Sequence, residues 1–244
     1  MADAGQAWRE HANELADVAS LVFASNYSDW IGYLPLPQRK DDNLAVPRSG
    51  SLNRSILARH FRGDGVGDLV AMPYRSTPSR MGIPIQLWIG FDLMPGVNGI
   101  PDAAGSWRAV ARLERQLLLC NVMPLVEEYD NSGNYHVWVL PKLGLLGDWE
   151  NGPYPSAAID WAEAVLGKAD LPGECLAETL PLPGRHHSED HWSRFWSRET
   201  WAEGKAAVRL LLNWNPIPVI EFREIVQGGR LAPPAALAHA KRVQ

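Results

Sequence analysis

The sequence predicts a mixed α/β (α+β) fold with a palm-like sheet at its centre, on three observations. An apolar run, Ile85–Leu93, reads as a strand that carries a carboxylate, Asp92, at its end. The next long segment, Ser106–Cys120, sets Trp107, Val110, Leu113, Leu117 and Leu118 on one helical face. Two more strand-like runs, Val122–Glu127 and Tyr135–Leu140, flank a small-residue turn, Asp130–Asn134. Strand, helix, strand, turn, strand is a palm-like α/β unit, because a sheet with one apolar face has to bury it under helices.

The remaining elements follow in order. From about Gln6 to Ala24, Trp8, Ala12, Leu15, Val18 and Val22 recur at three-to-four spacing and predict one amphipathic helix. Ser25–Ser51 is rich in Pro, Asp, Asn and Ser, contains Leu34–Pro37, and predicts a loop or short strands; its Arg39–Asp42 run reads as a solvated turn. A short helix over Asn53–Phe61 stops at Arg62–Gly65, and Val66–Met72 predicts a strand. After a Gly- and Pro-rich loop come a helix over Ser156–Leu166, a His-rich stretch from Leu182 to Trp196, a helix over Ala202–Trp214, and a Pro- and Gly-punctuated tail. The expected organisation is an N-terminal helix and loop over 1–52, a core over 53–215 and a C-terminal tail over 216–244.

Composition narrows the function. The chain has 244 residues, 46% hydrophobic and 21% charged, enough for one substantial core. A formal net charge of -5 argues against a uniformly basic duplex-binding surface, so any nucleic-acid contact has to be local. The two cysteines, Cys120 and Cys175, are too far apart in sequence for a paired zinc motif and are expected as reduced thiols. Asp3, Arg9, Glu10 and Glu14 interrupt the apolar residues near the start, which gives no signal-peptide core, and no uninterrupted stretch of eighteen apolar residues occurs. A cytoplasmic protein with no membrane contact is therefore expected. Eleven tryptophans are many for this length, and core packing is the expected role of most.

Three constellations carry possible chemistry. Asp92 ends a strand, but two-metal phosphoryl transfer needs a second acid at i+2 on the same face, and that position holds Met94, whose thioether does not bind Mg²⁺. Ser132, Gly133 and Asn134 form a turn whose N–H groups suit a phosphate, with His136 on the strand behind it. Arg185, His186 and His187, with His191 beyond, gather donors for an anionic ligand such as a triphosphate; His187 and His191 stand at i and i+4 and would share a metal if the segment were helical. The plain readings beside these are a strand-end cap, an ordinary hairpin and a His-rich loop held down by Trp192 and Trp196.

These segments, in this order, resemble the archaeo-eukaryotic primase (primase-polymerase) superfamily, in its conflict-system and planctomycete-type branch. The resemblance covers about Ile56–Trp214, roughly two-thirds of the chain. Arg59–Asp64 is similar to the family's His-Leu-Arg-Gly element, and Trp88–Met94 to its strand ending in Asp-x-Asp. Asn131–His136 matches a Ser-Gly-x-x-His pattern that lies against the incoming nucleotide in the family. Leu182–His187 followed by His191–Arg194 matches the Leu-Pro-Gly-Arg-His-His and His-Trp-Ser-Arg block of the planctomycete-type members. The resemblance implies a primase-polymerase-like palm, an RRM-like sheet with helices. It gives Asp92 and His136 catalytic positions, makes Asp92 a metal ligand, and has Ser132, Gly133, Asn134, Arg185, His186 and His187 bind nucleotide or nucleic acid.

The sequence also departs from the family. Met94 and Ser197 stand where the second and third acids belong, Pro181 replaces the Arg before the Leu-Pro-Gly run, and the Phe-Pro-Lys-Gln element has no clear counterpart. Losing two of three carboxylates removes most of the charge that holds two Mg²⁺ ions. Mg²⁺ or Mn²⁺ is thus expected to bind weakly, and no organic cofactor is expected. The leading reading is a catalytically degenerate primase-polymerase-like protein that binds nucleotide or single-stranded nucleic acid within a larger defence or replication complex, beside a protein such as a helicase or nuclease. Against it stand an active primase-polymerase in which Glu189, Asp190 or Glu199 replaces a lost acid, a metal-dependent nuclease or hydrolase using His186, His187, His191 and Asp190, and a structural adaptor.

Overall fold

The computed structural model describes residues 4–23, 30–33, 46–49, 53–64, 69–71, 74–75, 85–86, 88–97, 99–142, 152–186, 191–197 and 199–228. The Leu34–Pro37 and Arg39–Asp42 stretches lie outside them, as do His187, Glu189 and Asp190.

The chain begins with α1 (Gln6–Glu10), α2 (Ala12–Val22), β1 (Trp30–Tyr33), β2 (Val46–Ser49) and α3 (Arg54–Arg62). Next come β3 (Leu69–Ala71), β4 (Tyr74–Arg75), β5 (Ile85–Gln86), β6 (Ile89–Leu93) and α4 (Ala103–Leu119). The palm continues with β7 (Leu125–Glu128), β8 (Tyr135–Val139), β9 (Pro141–Lys142) and α5 (Pro155–Lys168). It closes with β10 (Leu180–Pro181), β11 (Arg185–His186), β12 (His191–Trp192), β13 (Arg194–Ser197), β14 (Thr200–Ala202), α6 (Gly204–Leu212), β15 (Ile217–Pro218) and α7 (Val219–Gln227).

Local chemistry explains the helix ends. The Asn53 side chain accepts the Ile56 N–H at 3.0 Å and starts α3, and Gly63 at φ 75° ends it in the left-handed conformation. Asp102 starts α4 in the same way, accepting the Gly105 N–H at 2.6 Å.

A five-stranded antiparallel sheet in the order β14-β13-β7-β8-β6 organises the molecule. Strand alternation divides its side chains between two cores. Leu125, Trp138 and Phe195 face one core, built from Trp8 of α1 and the apolar faces of α2, α3 and α6. Phe91, Leu93, Val126, Val137 and Val139 face the other, under α4, α5 and α7. A four-stranded sheet, β10-β3-β1-β2, lies beside them.

The structure adds detail to the sequence reading at four places. The first helix is two, α1 and α2, meeting at His11, whose N–H still reaches Ala7 O at 3.1 Å. The Ile85–Leu93 run is divided between β5, which pairs with β4, and β6, which joins the main sheet. The N-terminal helices pack into the first core, where Trp8 is fully buried against Phe61, Trp192 and Phe195. The tail contains α7, whose Val219, Phe222, Ile225 and Val226 complete the second core. Both cysteines are buried and neither is in a disulfide, and among the described residues no helix is long and apolar enough to cross a membrane.

Candidate functional site

Register builds the site. Asp92 on β6 pairs with His136 on β8, and His136 pairs in turn with Glu127 on β7, so the three side chains stand in one row on one face of the sheet. His136 Nε2 lies 3.9 Å from Asp92 Oδ1, and its Nδ1 lies 3.3 Å from Glu127 Oε2. The row runs from interior to surface: Glu127 is 0% exposed, His136 2% and Asp92 33%.

Glu127 is the residue that sequence reading missed, having served there as a strand boundary. Its carboxylate is wholly buried, yet four donors surround it. Trp138 Nε1 donates to Oε2 at 2.9 Å, and His136 Nδ1 lies 3.3 Å from the same oxygen. Ser193 Oγ donates to Oε1 at 2.5 Å, and His186 Nε2 lies 3.2 Å from that oxygen. Burial alone pushes this carboxyl up, but the hydrogen bonds and charge of His136 and His186 outweigh it and hold the group well below the usual carboxylate range. Asp92 goes the other way: burial raises it and Asp130 adds to the rise, against the opposing pull of His136. Asp92 Oδ1 is buried without a hydrogen-bond partner among the described residues. The signal available in sequence was a pair of adjacent acids, Glu127 and Glu128, closing an apolar strand run and followed by Tyr129.

The turn before β8 differs from the open anion cradle expected of it. Asp130 Oδ1 accepts the Ser132 N–H at 2.8 Å, the Ser132 hydroxyl at 2.6 Å and the Asn134 N–H at 3.3 Å, so these donors are already used inside an Asx turn. Gly133 is needed for close approach: at φ 88°, a Cβ there would stand 2.4 Å from Ala103 Cβ and 2.9 Å from Ala103 Cα at the start of α4. Gly133→Ala should therefore destabilise the fold by about 1–3 kcal/mol, read as a lower urea midpoint. An unchanged midpoint would mean that the turn moves freely away from α4.

In the His-rich stretch, β11 and β12 pair antiparallel, with Arg185 opposite Trp192 and His186 opposite His191. His191 stands on β12, and His187 lies outside the described residues. His186, 0% exposed, turns inward to Glu127 and Ser193, and the His191 ring stacks over it at 6.4 Å. Arg185 is half-buried, and its Nη1 donates to Gly63 O at 3.3 Å, beside the end of α3. Tyr129 closes over both histidines, with centroid distances of 4.6 Å to His136 and 4.0 Å to His186. The structure thus joins Asp92, His136 and His186 through Glu127, and sets Arg185 on the α3 side of the hairpin.

A pair of divalent ions does not fit these residues. Met94 is 37% exposed and offers sulfur, Ser197 lies exposed at the end of β13, and both Glu127 oxygens are taken by donors. Among the described residues no group of three His, Cys, Asp or Glu side chains stands close enough to hold a metal.

No family model and no curated protein matches the chain. Solved structures do. The catalytic domain of primase RepB' in complex with initiator DNA is 12% identical, with a TM-score of 0.44 over 97% of this chain and 98% of that one. Primase RepB' is also similar at 11% identity, with a TM-score of 0.43 over 96% of this chain and 65% of its own. The polymerase domain of Mycobacterium tuberculosis ligase D in complex with DNA is 11% identical, with a TM-score of 0.40 over 90% of this chain and 88% of that one.

Proposed function

We propose that this protein is a primase-polymerase-like nucleotide- or single-strand-binding protein that has lost two-metal nucleotidyl transfer and acts as a subunit of a larger defence or replication complex. The observation that carries the reading is the alignment of Asp92 and His136 across β6 and β8, 3.9 Å apart at the surface end of a row anchored by Glu127. A carboxylate one-third exposed and backed by an imidazole can accept from a sugar hydroxyl or a base amino group, and Arg185 on the neighbouring hairpin supplies a cation for phosphate. Among the described residues, chemistry by two ions lacks its acids, because Met94 and Ser197 offer none and Glu127 is engaged. A protein partner such as a helicase or nuclease would supply the remaining activity.

Two measurements test this. Incubation with labelled nucleotide, a primed template and Mg²⁺ or Mn²⁺ should give no template-dependent incorporation; incorporation that vanishes in Asp92→Ala would establish an active polymerase instead. Titration at low salt with a nucleoside triphosphate or a single-stranded oligonucleotide should show weak binding. Arg185→Ala should weaken it by roughly ten- to a hundredfold, the loss of one charge-assisted hydrogen bond. Equal affinity of both proteins, or no binding by either, favours a structural adaptor.

A further inference from the structure

Glu127 presents a question of proton placement that its four donors answer. An indole N–H can only donate, so Oε2 must accept from Trp138, and the His136 nitrogen that shares Oε2, Nδ1, has to bring a proton as well. On the other oxygen, Ser193 Oγ accepts the Gly184 N–H at 2.7 Å, and of the two acceptors its own proton reaches, Oε1 at 2.5 Å is nearer than Gly184 O at 3.2 Å. His186 meets Oε1 and Ser193 Oγ through Nε2, while its Nδ1 is buried without a partner among the described residues. All of these side chains are nine-tenths or more buried, so water does not replace the missing donors.

We propose that Glu127 is the positioning residue of this site: it fixes opposite tautomers in two histidines, Nδ1–H in His136 and Nε2–H in His186, and so turns His136 Nε2 towards Asp92. One carboxylate then does two things. It selects the ring nitrogen that faces the exposed end of the row, and it holds the β11–β12 hairpin, through His186 and Ser193, against β7 and β8. The Ser193, His186 and Glu127 cluster is no nucleophilic triad. The carboxylate and the hydroxyl meet the same imidazole nitrogen, Nε2, which carries the proton it gives to Glu127 and so cannot take one from serine, while Nδ1 faces neither group. The meaning for ligand rests on the binding function proposed above; the tautomers stand on hydrogen-bond geometry alone.

Glu127→Gln separates this from a space-filling role, because it keeps the shape and changes the donors. The new amide NH₂ cannot face Trp138 Nε1, which does not accept, and it therefore turns to the Ser193 and His186 side. There Ser193 Oγ can accept, and His186 can accept at Nε2 by moving its proton to Nδ1. The experiment is long-range nitrogen–proton correlation NMR on protein labelled with ¹⁵N-histidine, at a pH where the rings are neutral, with resonances assigned by His136→Gln and His186→Gln. Wild-type protein should show Nδ1–H for His136 and Nε2–H for His186. Glu127→Gln should move His186 to Nδ1–H and leave His136 as it was.

The same tautomer on both rings of the wild type, or no change at His186 in folded Glu127→Gln, overturns the proposal. The wild-type spectrum decides by itself if the variant does not fold. A nucleotide titration run beside it keeps the two readings apart: tautomers as stated with no binding support the role of Glu127 and remove the binding function.

Discussion

Glu127→Leu is expected to cost the protein about 3–5 kcal/mol of stability, or to prevent folding, although leucine is apolar and fills a similar volume. The cost comes from what remains. His136 Nδ1, His186 Nε2, Trp138 Nε1 and Ser193 Oγ all lose their acceptor in a place where water does not reach. Urea or thermal denaturation followed by tryptophan fluorescence measures it, and a loss under about 1 kcal/mol would show that the four donors find other partners. The same residue predicts acid sensitivity. A carboxyl depressed on folding contributes stability that is present above its unfolded value of about 4.5 and is lost as pH falls below it. His191, pulled down from 6.5 by burial and by His186, adds a loss of the same sign that begins at higher pH. Stability should therefore decline below about pH 6.5 and more steeply below about 4.5, and Glu127→Leu should flatten the lower limb.

Trp8→Ala carries the second large effect, about 3–5 kcal/mol. The indole is fully buried and lies between three rings, with centroids 6.1 Å from Phe61, 5.8 Å from Trp192 and 6.2 Å from Phe195. Those partners belong to α3, to the hairpin and to the main sheet, so a cavity there loosens three elements at once. A single cooperative unfolding transition with a lowered midpoint is the expected result. A second, separate transition, or a loss below about 1 kcal/mol, would instead mean an independent N-terminal unit.

Much of the palm was legible because its elements repeat a period. The apolar face of α4 from Val110 to Leu117, the strands β7 and β8, and the turn between them follow directly from spacing, and the pairing of Asp92 with His136 follows from two motifs on adjacent strands. Other features left no such pattern. Glu127 looks like any acid at the end of a strand, and its meaning depends on His186 and Ser193, which arrive from 59 and 66 residues away. The free N–H groups expected of the Ser132–Asn134 turn were misjudged because Asp130, just before it, competes for them. Pro216 and Pro218 disguised α7 as a tail, yet Pro218 precedes its first residue, where a missing N–H costs nothing. His11 hid a break that hydrophobic periodicity alone does not register.

The strand that bears Asp92 is the last in its sheet, and an outermost strand ordinarily invites another chain to zip onto it. Here the protein occupies that margin itself. Phe91 forms a bridge with Leu176, and the Ala177 N–H donates to Gly90 O at 2.9 Å, just before the strand reaches Asp92. Main-chain bonding sites along the middle of β6 are thus already spoken for by the chain's own descent towards β10. Whatever approaches from this flank meets side chains instead of a backbone template, and recognition at this margin is written in residue identity rather than in strand addition.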